Sequence, residues 1–230
     1  MNNWNLLNKY KSLLISQLHN IFKMYKYQIQ VNAEDLNLLE SKNSTLRSST
    51  AIGFIIEEFV YQKLKNVFCD FVVNIYRKSK TTAQSYDFIL DFSDVMFLVN
   101  IKVENNTSKN NAVASISKLL LDYHKFIKQG KNFFYLIIKI KYKILDVKPE
   151  RSYYDKIKIE DFSIYALEEF SFDSRHKQDH RNWSTNFKAE SGRLIIDSEF
   201  FKNNKLNPTD SISNQKTFAS LQKIFERLKQ

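Results

Sequence analysis

Two strand-forming runs joined by a short polar break constrain this chain more than any other feature. Tyr86-Asp87-Phe88-Ile89-Leu90 and Phe97-Leu98-Val99-Asn100-Ile101-Lys102 are rich in aromatic and branched residues, and the turn formers of residues 91–94 separate them. Such a pair folds as a hairpin. Strand residues two apart share a face, so Asn100 and Lys102 emerge together, and the neighbouring strand can set Asp87 beside them. Only three glycines occur in the chain, Gly53, Gly130 and Gly192. A phosphate-cradling loop or a dinucleotide fingerprint needs several at set spacing, which argues strongly against nucleotide-dependent chemistry.

The remaining elements follow from periodicity. Trp4, Leu7, Tyr10, Leu14, Leu18, Phe22 and Tyr25 recur at helical spacing and predict a long amphipathic N-terminal helix. Residues 32–39 read as a short helix, and Ser49 or Thr50 caps a second helix reaching about Asn66. Strands are expected over residues 68–76, 86–92 and 95–103, a helix over 112–126, and a strong strand over 132–144. In that last strand Lys139, Lys141 and Lys143 alternate with Ile138, Ile140 and Tyr142. A strand over 162–170, an irregular basic stretch over 171–191, a strand or extended segment over 193–201 and a helix over 211–228 complete the chain. The order of helix, strand, hairpin, helix and strand predicts an α/β fold with a mixed central sheet flanked by helices. With no linker or repeat, residues 1–230 are expected to form one domain.

Hydrophobic residues make up 43% of the chain, which suits a packed core. A formal charge of +10 favours a polyanionic partner, and nucleic acid is the first expectation. No run approaches the roughly 18 apolar residues of a spanning helix, and no signal peptide is evident. Cys69 alone cannot form an internal disulfide; it reads as a small buried hydrophobe in a cytoplasmic protein.

On the second helix Gly53, Glu57, Val60 and Leu64 fall on one stripe, so Glu57 faces inward while Glu58 flanks it. A buried acid must be paired or bind metal. Glu57, Asp87 and the side-chain oxygen of Asn100 can gather Mg²⁺, and Lys102 can serve the nucleophile or the charge developing on a phosphate. This is the layout of a metal-dependent nuclease.

On these residues the chain resembles the PD-(D/E)xK nuclease superfamily, home of many type II restriction endonucleases. Glu57 matches the acid of the first core helix and Asp87 the acid of a core strand, while Asn100-Ile101-Lys102 matches the acid-x-lysine of the next strand. Asn100 stands where an acid is usual, and Tyr86 stands where a proline is. The resemblance spans residues 49–144 as a catalytic core. The run Val99-Asn100-Ile101-Lys102-Val103, the helix after it, Asp179-His180-Arg181-Asn182-Trp183 and Ser191-Gly192-Arg193-Leu194 look like ScaI-type enzymes in particular.

Residues 171–193 are the expected DNA-recognition loop. Arg175, His176, Lys177, Gln178, Arg181 and Asn182 are the side-chain types that read base edges and grip phosphates. The resulting expectation is a Mg²⁺-dependent, sequence-specific duplex endonuclease acting as a homodimer, with a partner methyltransferase protecting host DNA. Two alternatives stand beside it: a DNA-binding protein with a site lapsed at Asn100, and a repair or junction nuclease of the same superfamily.

Overall fold

The computed structural model describes residues 3–32, 49–69, 74–77, 84–106, 112–145, 154–171, 178–179, 192–196, 203 and 205–228. Helix α1 (Asn3–Met24) leads into strand β1 (Gln28–Asn32), and helix α2 (Ser49–Val67) precedes strands β2 (Asn74–Tyr76), β3 (Phe88–Asp91) and β4 (Met96–Glu104). Strand β5 (Ala112–Ser115) runs into helix α3 (Ile116–Lys128), followed by the long strands β6 (Phe133–Leu145) and β7 (Tyr154–Ala166). A 3-10 turn (Leu167–Glu169), the short strands β8 (Gln178–Asp179) and β9 (Arg193–Ile195), and helix α4 (Asn214–Leu228) follow.

Six strands form the central sheet in the order β1-β7-β6-β4-β3-β2. Strands β4 and β6 are parallel and joined through α3, as a parallel pair requires a crossover; every other pairing is antiparallel. Strand β4 is buried on both faces from Met96 to Ile101, as befits the middle of the sheet. Its odd-numbered residues face α1 and α2, packing with Leu7, Leu14, Leu18, Ile52, Ile56 and Val60. Its even-numbered residues face α3 and α4, packing with Leu119, Tyr123, Leu221 and Ile224. Helix α3 buries Ile116, Leu119, Tyr123 and Phe126, a three-four-three spacing that accounts for its single apolar stripe. The expected mixed sheet between helices is the fold observed. No helix among the described residues is long and apolar enough to cross a membrane.

Several boundaries differ from expectation, each for a local reason. The helix expected over 32–39 begins inside β1, where Gln28-Ile29-Gln30-Val31 alternates with period two and pairs with β7; residues 33–39 lie outside the described residues. The helix expected from residue 112 starts at Ile116, because Ala112 and Ser115 pair with β9 in a second, three-stranded sheet. Phe68 and Cys69 form the turn after α2 rather than a strand, and the Cys69 thiol is exposed, donating to the Asn66 carbonyl at 2.8 Å. Strand β7 begins eight residues before the expected 162, since its N-terminal half is ladder partner to both β1 and the end of β6.

The hairpin turn between β3 and β4 is held by structure rather than chemistry. Asp94 accepts a hydrogen bond from Tyr10 Oη at 2.6 Å, and Asp91 lies 3.8 Å from Lys131. Fully buried Glu168 accepts from Tyr123 Oη at 2.5 Å, the Tyr135 amide at 3.1 Å and Asn214 Nδ2 at 3.1 Å, tying α3, β6 and α4 together.

Candidate active site

Helix α2 packs over the end of β4, with Gly53 above the Val103 side chain. A Cβ built on Gly53 would lie 3.4 Å from Val103 Cγ2. One helical turn on, Glu57 reaches the edge of the sheet with its side chain 24% exposed. Ile56 and Val60 form the buried stripe on either side, so Glu57 sits at the margin of the core rather than within it.

Asp87 immediately precedes β3. Its amide donates to the Val99 carbonyl at 2.7 Å, and its Oδ2 accepts from the Ile101 amide at 2.6 Å. The carboxylate thus substitutes for a missing strand partner where β3 leaves β4, and the main chain sets its orientation. Carrying the β3–β4 register one residue past Phe88 places Asp87 opposite Asn100.

Lys102 and Arg77 supply the positive charge. Arg77, at the end of β2, donates to Glu57 Oε1 at 3.2 Å and to Glu58 Oε2 at 2.5 Å, with its guanidinium 4.1 Å from the Tyr61 ring centroid. Burial and the charge of Asp87 push the Glu57 carboxyl up to about 7, against the pull of Arg77 and Lys102. Burial also raises Asp87, against Lys102, the Ile101 amide and Arg77. Two carboxyls are therefore held above their ordinary range at one end of the sheet despite two neighbouring cations.

The linkage has a definite sign. Between the ordinary 4.5 and about 7, the folded state binds more protons at Glu57 than the unfolded chain does. Stability from this group is full below 4.5 and falls as pH rises through about 7. Urea titrations across this window should show that slope for the metal-free protein and a flatter one for Glu57→Gln. Parallel slopes for the two proteins would remove Glu57 as the source.

Asn100 is 2% exposed, and its side chain is committed to the fold. Nδ2 lies 2.7 Å from the Ser85 carbonyl, 3.1 Å from the Val113 carbonyl and 2.7 Å from Tyr135 Oη, which itself donates to the Ser85 carbonyl. The Ser85 amide and hydroxyl donate in turn to Asp122 Oδ2 at 2.8 and 2.7 Å. Three acceptors around one atom determine which end of the amide is nitrogen. The other end, Oδ1, is buried without a hydrogen-bond partner among the described residues. Glu104, two strand positions past Lys102, directs its charge to Lys139, with Oε2 3.1 Å from Nζ.

Of the expected site residues, Glu57, Asp87 and Lys102 converge, and Asn100 lies opposite Asp87 with its amide nitrogen occupied. The base-reading residues Arg175, His176, Lys177, Arg181 and Asn182 lie outside the described residues. Gln178 lies in β8, which pairs with β9 and so connects to β5, the strand whose Val113 carbonyl faces Asn100. Arg77, Tyr135, Ser85 and Asp122 were not anticipated. Each reaches the site through a contact across 15 to 50 residues of chain, for which a linear motif carries no signal.

Among the described residues no group of three or more His, Cys, Asp or Glu is arranged to hold a metal. Mg²⁺ does not demand such a cage, since it keeps several waters and binds through one or two carboxylates plus substrate phosphates. Two carboxylates raised by burial and an unsatisfied buried oxygen opposite one of them fit that donor set.

No protein-family model matches the chain, and no curated protein matches it. Among solved structures the chain is similar to NlaIV restriction endonuclease, at 14% identity and a TM-score of 0.48 over 91% of this chain and 77% of that one. The architecture described above is a mixed central sheet flanked by helices.

Proposed function

We propose that this chain is a Mg²⁺-dependent DNA endonuclease of the type II restriction kind, a single nuclease domain working as a homodimer in the cytoplasm beside a protective methyltransferase. The observation that supports it most is the meeting of Glu57, Asp87 and Lys102 where α2 reaches the β3–β4 pair. Asp87 and Glu57 would hold the cation, with Asn100 Oδ1 as a neutral third oxygen. When bound, Mg²⁺ polarises the phosphate and lowers the pKa of water. Asp87 is kept in register by the Ile101 amide, so its donor atom is set before substrate arrives. Lys102, on the same face as Asn100, orients the attacking water and stabilises charge on the phosphate. Residues 171–193 would read the sequence.

Incubation with unmethylated phage and plasmid DNA, in Mg²⁺, in Mn²⁺ and in EDTA, tests this directly. Discrete fragments in metal and none in EDTA are expected. Tight DNA binding with no cleavage in either metal would replace this reading with the binding-protein one.

Arg77 gives a finer test. Its guanidinium holds the Glu57 carboxyl down, so Arg77→Gln raises that carboxyl further and leaves more of it protonated near neutrality. The acid limb of the cleavage profile should move to higher pH in this variant. An unmoved limb would mean that Glu57 does not need to be ionised for the reaction.

A further inference from the structure

The two faces of the central sheet are covered unequally. On the face of α1 and α2, β6 is buried from Phe134 through Leu136, Ile138 and Ile140 to Tyr142. On the opposite face α3 and α4 cover Phe133, Tyr135 and Ile137, and the apolar series stops there. The next residues on that face are Lys139, Lys141 and Lys143.

Pairing extends this stripe across neighbouring strands. Lys102 on β4 stands opposite Lys139, and Lys143 opposite Lys158 on β7. Lys156 follows on the same face, and β1 sets Gln28 and Gln30 beside Lys158 and Lys156. Lys143 and Lys158 are exposed and Lys156 is half-buried. Acids answer only part of this charge: Glu104 lies 3.1 Å from Lys139, and Glu160 lies 3.8 Å from Lys141. Lys143, Lys156 and Lys158 have no acidic partner among the described residues.

Like charges placed directly opposite on adjacent strands destabilise a sheet. Here Lys143 and Lys158 are so placed with no acidic partner among the described residues, whereas Glu104 answers Lys139 in the Lys102–Lys139 pair. A simple solvated face gains nothing from such pairing, whereas a bound polyanion offsets it. With strands about 4.8 Å apart and about 3.3 Å per residue, Lys158 lies roughly 16 Å from Lys102. That is about half a turn of duplex DNA.

We propose that this half of the sheet face, without apolar cover among the described residues and centred on Lys143, Lys156 and Lys158, is the surface on which the phosphate backbone of duplex DNA lies, leading it to Lys102. The partner is taken from the nuclease reading; the surface is read from sheet register and charge. Lys143, Lys156 and Lys158 grip phosphates without reading sequence, which leaves specificity to other residues.

The test compares two triple variants of equal charge. One is K143Q/K156Q/K158Q. The other is K9Q/K23Q/K65Q, whose exposed lysines lie on α1 and α2, the helices of the opposite face. Binding to a short fluorescein-labelled duplex is followed by anisotropy in EDTA across a salt series. The sheet-face variant should lose about 0.9 of salt slope per lysine and bind about tenfold or more weakly, while the helix variant keeps the wild-type slope. Equal losses in both variants, or no loss in the sheet-face one, would overturn the proposal. Wild-type protein that never cleaves but binds through these lysines would end the nuclease reading and leave this surface standing. Cleavage with an unchanged slope in the sheet-face variant would do the reverse.

Discussion

Asp87→Asn should abolish metal-dependent cleavage, by about 10³-fold or more, while leaving the fold intact. The separation arises because the wild-type carboxylate has two roles. Its Oδ2 accepts the Ile101 amide, and an asparagine oxygen can accept the same bond. Its negative charge, which asparagine lacks, is what a divalent cation would draw on in the proposed site. That charge is also a burden on the metal-free protein, because burial raises the Asp87 carboxyl and Asp87 raises Glu57. The variant should therefore melt no lower than wild type near pH 8, and the gap should close toward about pH 4 as wild type takes up its protons. Cleavage assays and thermal melts at both pH values check this. A folded Asp87→Asn protein that cuts at the wild-type rate would remove Asp87 from the chemistry. One that fails to fold would assign the residue to the β3–β4 junction.

Asn100→Asp should unfold or severely weaken the protein, by about 3–5 kcal/mol at neutral pH. In the nuclease motif that the sequence resembles, an acid is usual where Asn100 stands, and restoring the acid is the obvious experiment. The surroundings oppose it. An aspartate would aim an oxygen at the Ser85 and Val113 carbonyls, where Nδ2 now donates. It would also bring a charge into a site that is 2% exposed and already close to buried Asp122 through Ser85. A protonated aspartic acid restores one donor at most, so the loss should be smaller at acid pH. Asn100→Ala should cost less, about 1–3 kcal/mol, because it strands acceptors without adding a charge. Chemical denaturation of both variants at two pH values decides the matter. An Asn100→Asp protein as stable as wild type would show that the amide is not committed to this network, and a gain in cleavage would make it a simple weakened ligand.

These results bear on how Asn100 arose. A lapsed catalytic acid would leave an amide with no particular partners. Here the nitrogen end meets acceptors from β5, from β6 and from the segment before β3. The amide nitrogen belongs to the hydrogen-bonded architecture around Ser85 and Tyr135, and under the proposed function its oxygen end is left to face a cation.

The chain's periodicities were enough to predict the helices α1, α2, α3 and α4, the β3–β4 hairpin and β6, because each buries a continuous apolar stripe that local spacing displays. The same spacing set Glu57, Asp87 and Lys102 at one end of one sheet, since a helix stripe and a strand face follow from covalent geometry. Strands β1 and β5 were beyond that reach. Each is short, and each exists because a distant segment offers a ladder of hydrogen bonds, as β7 does for β1. The same holds for Arg77 beside Glu57 and for the acceptors around Asn100. Whether an amide reads as a lost ligand or a built-in donor depends on groups up to 35 residues away along the chain. Folding brings those groups within 3.1 Å of one nitrogen atom.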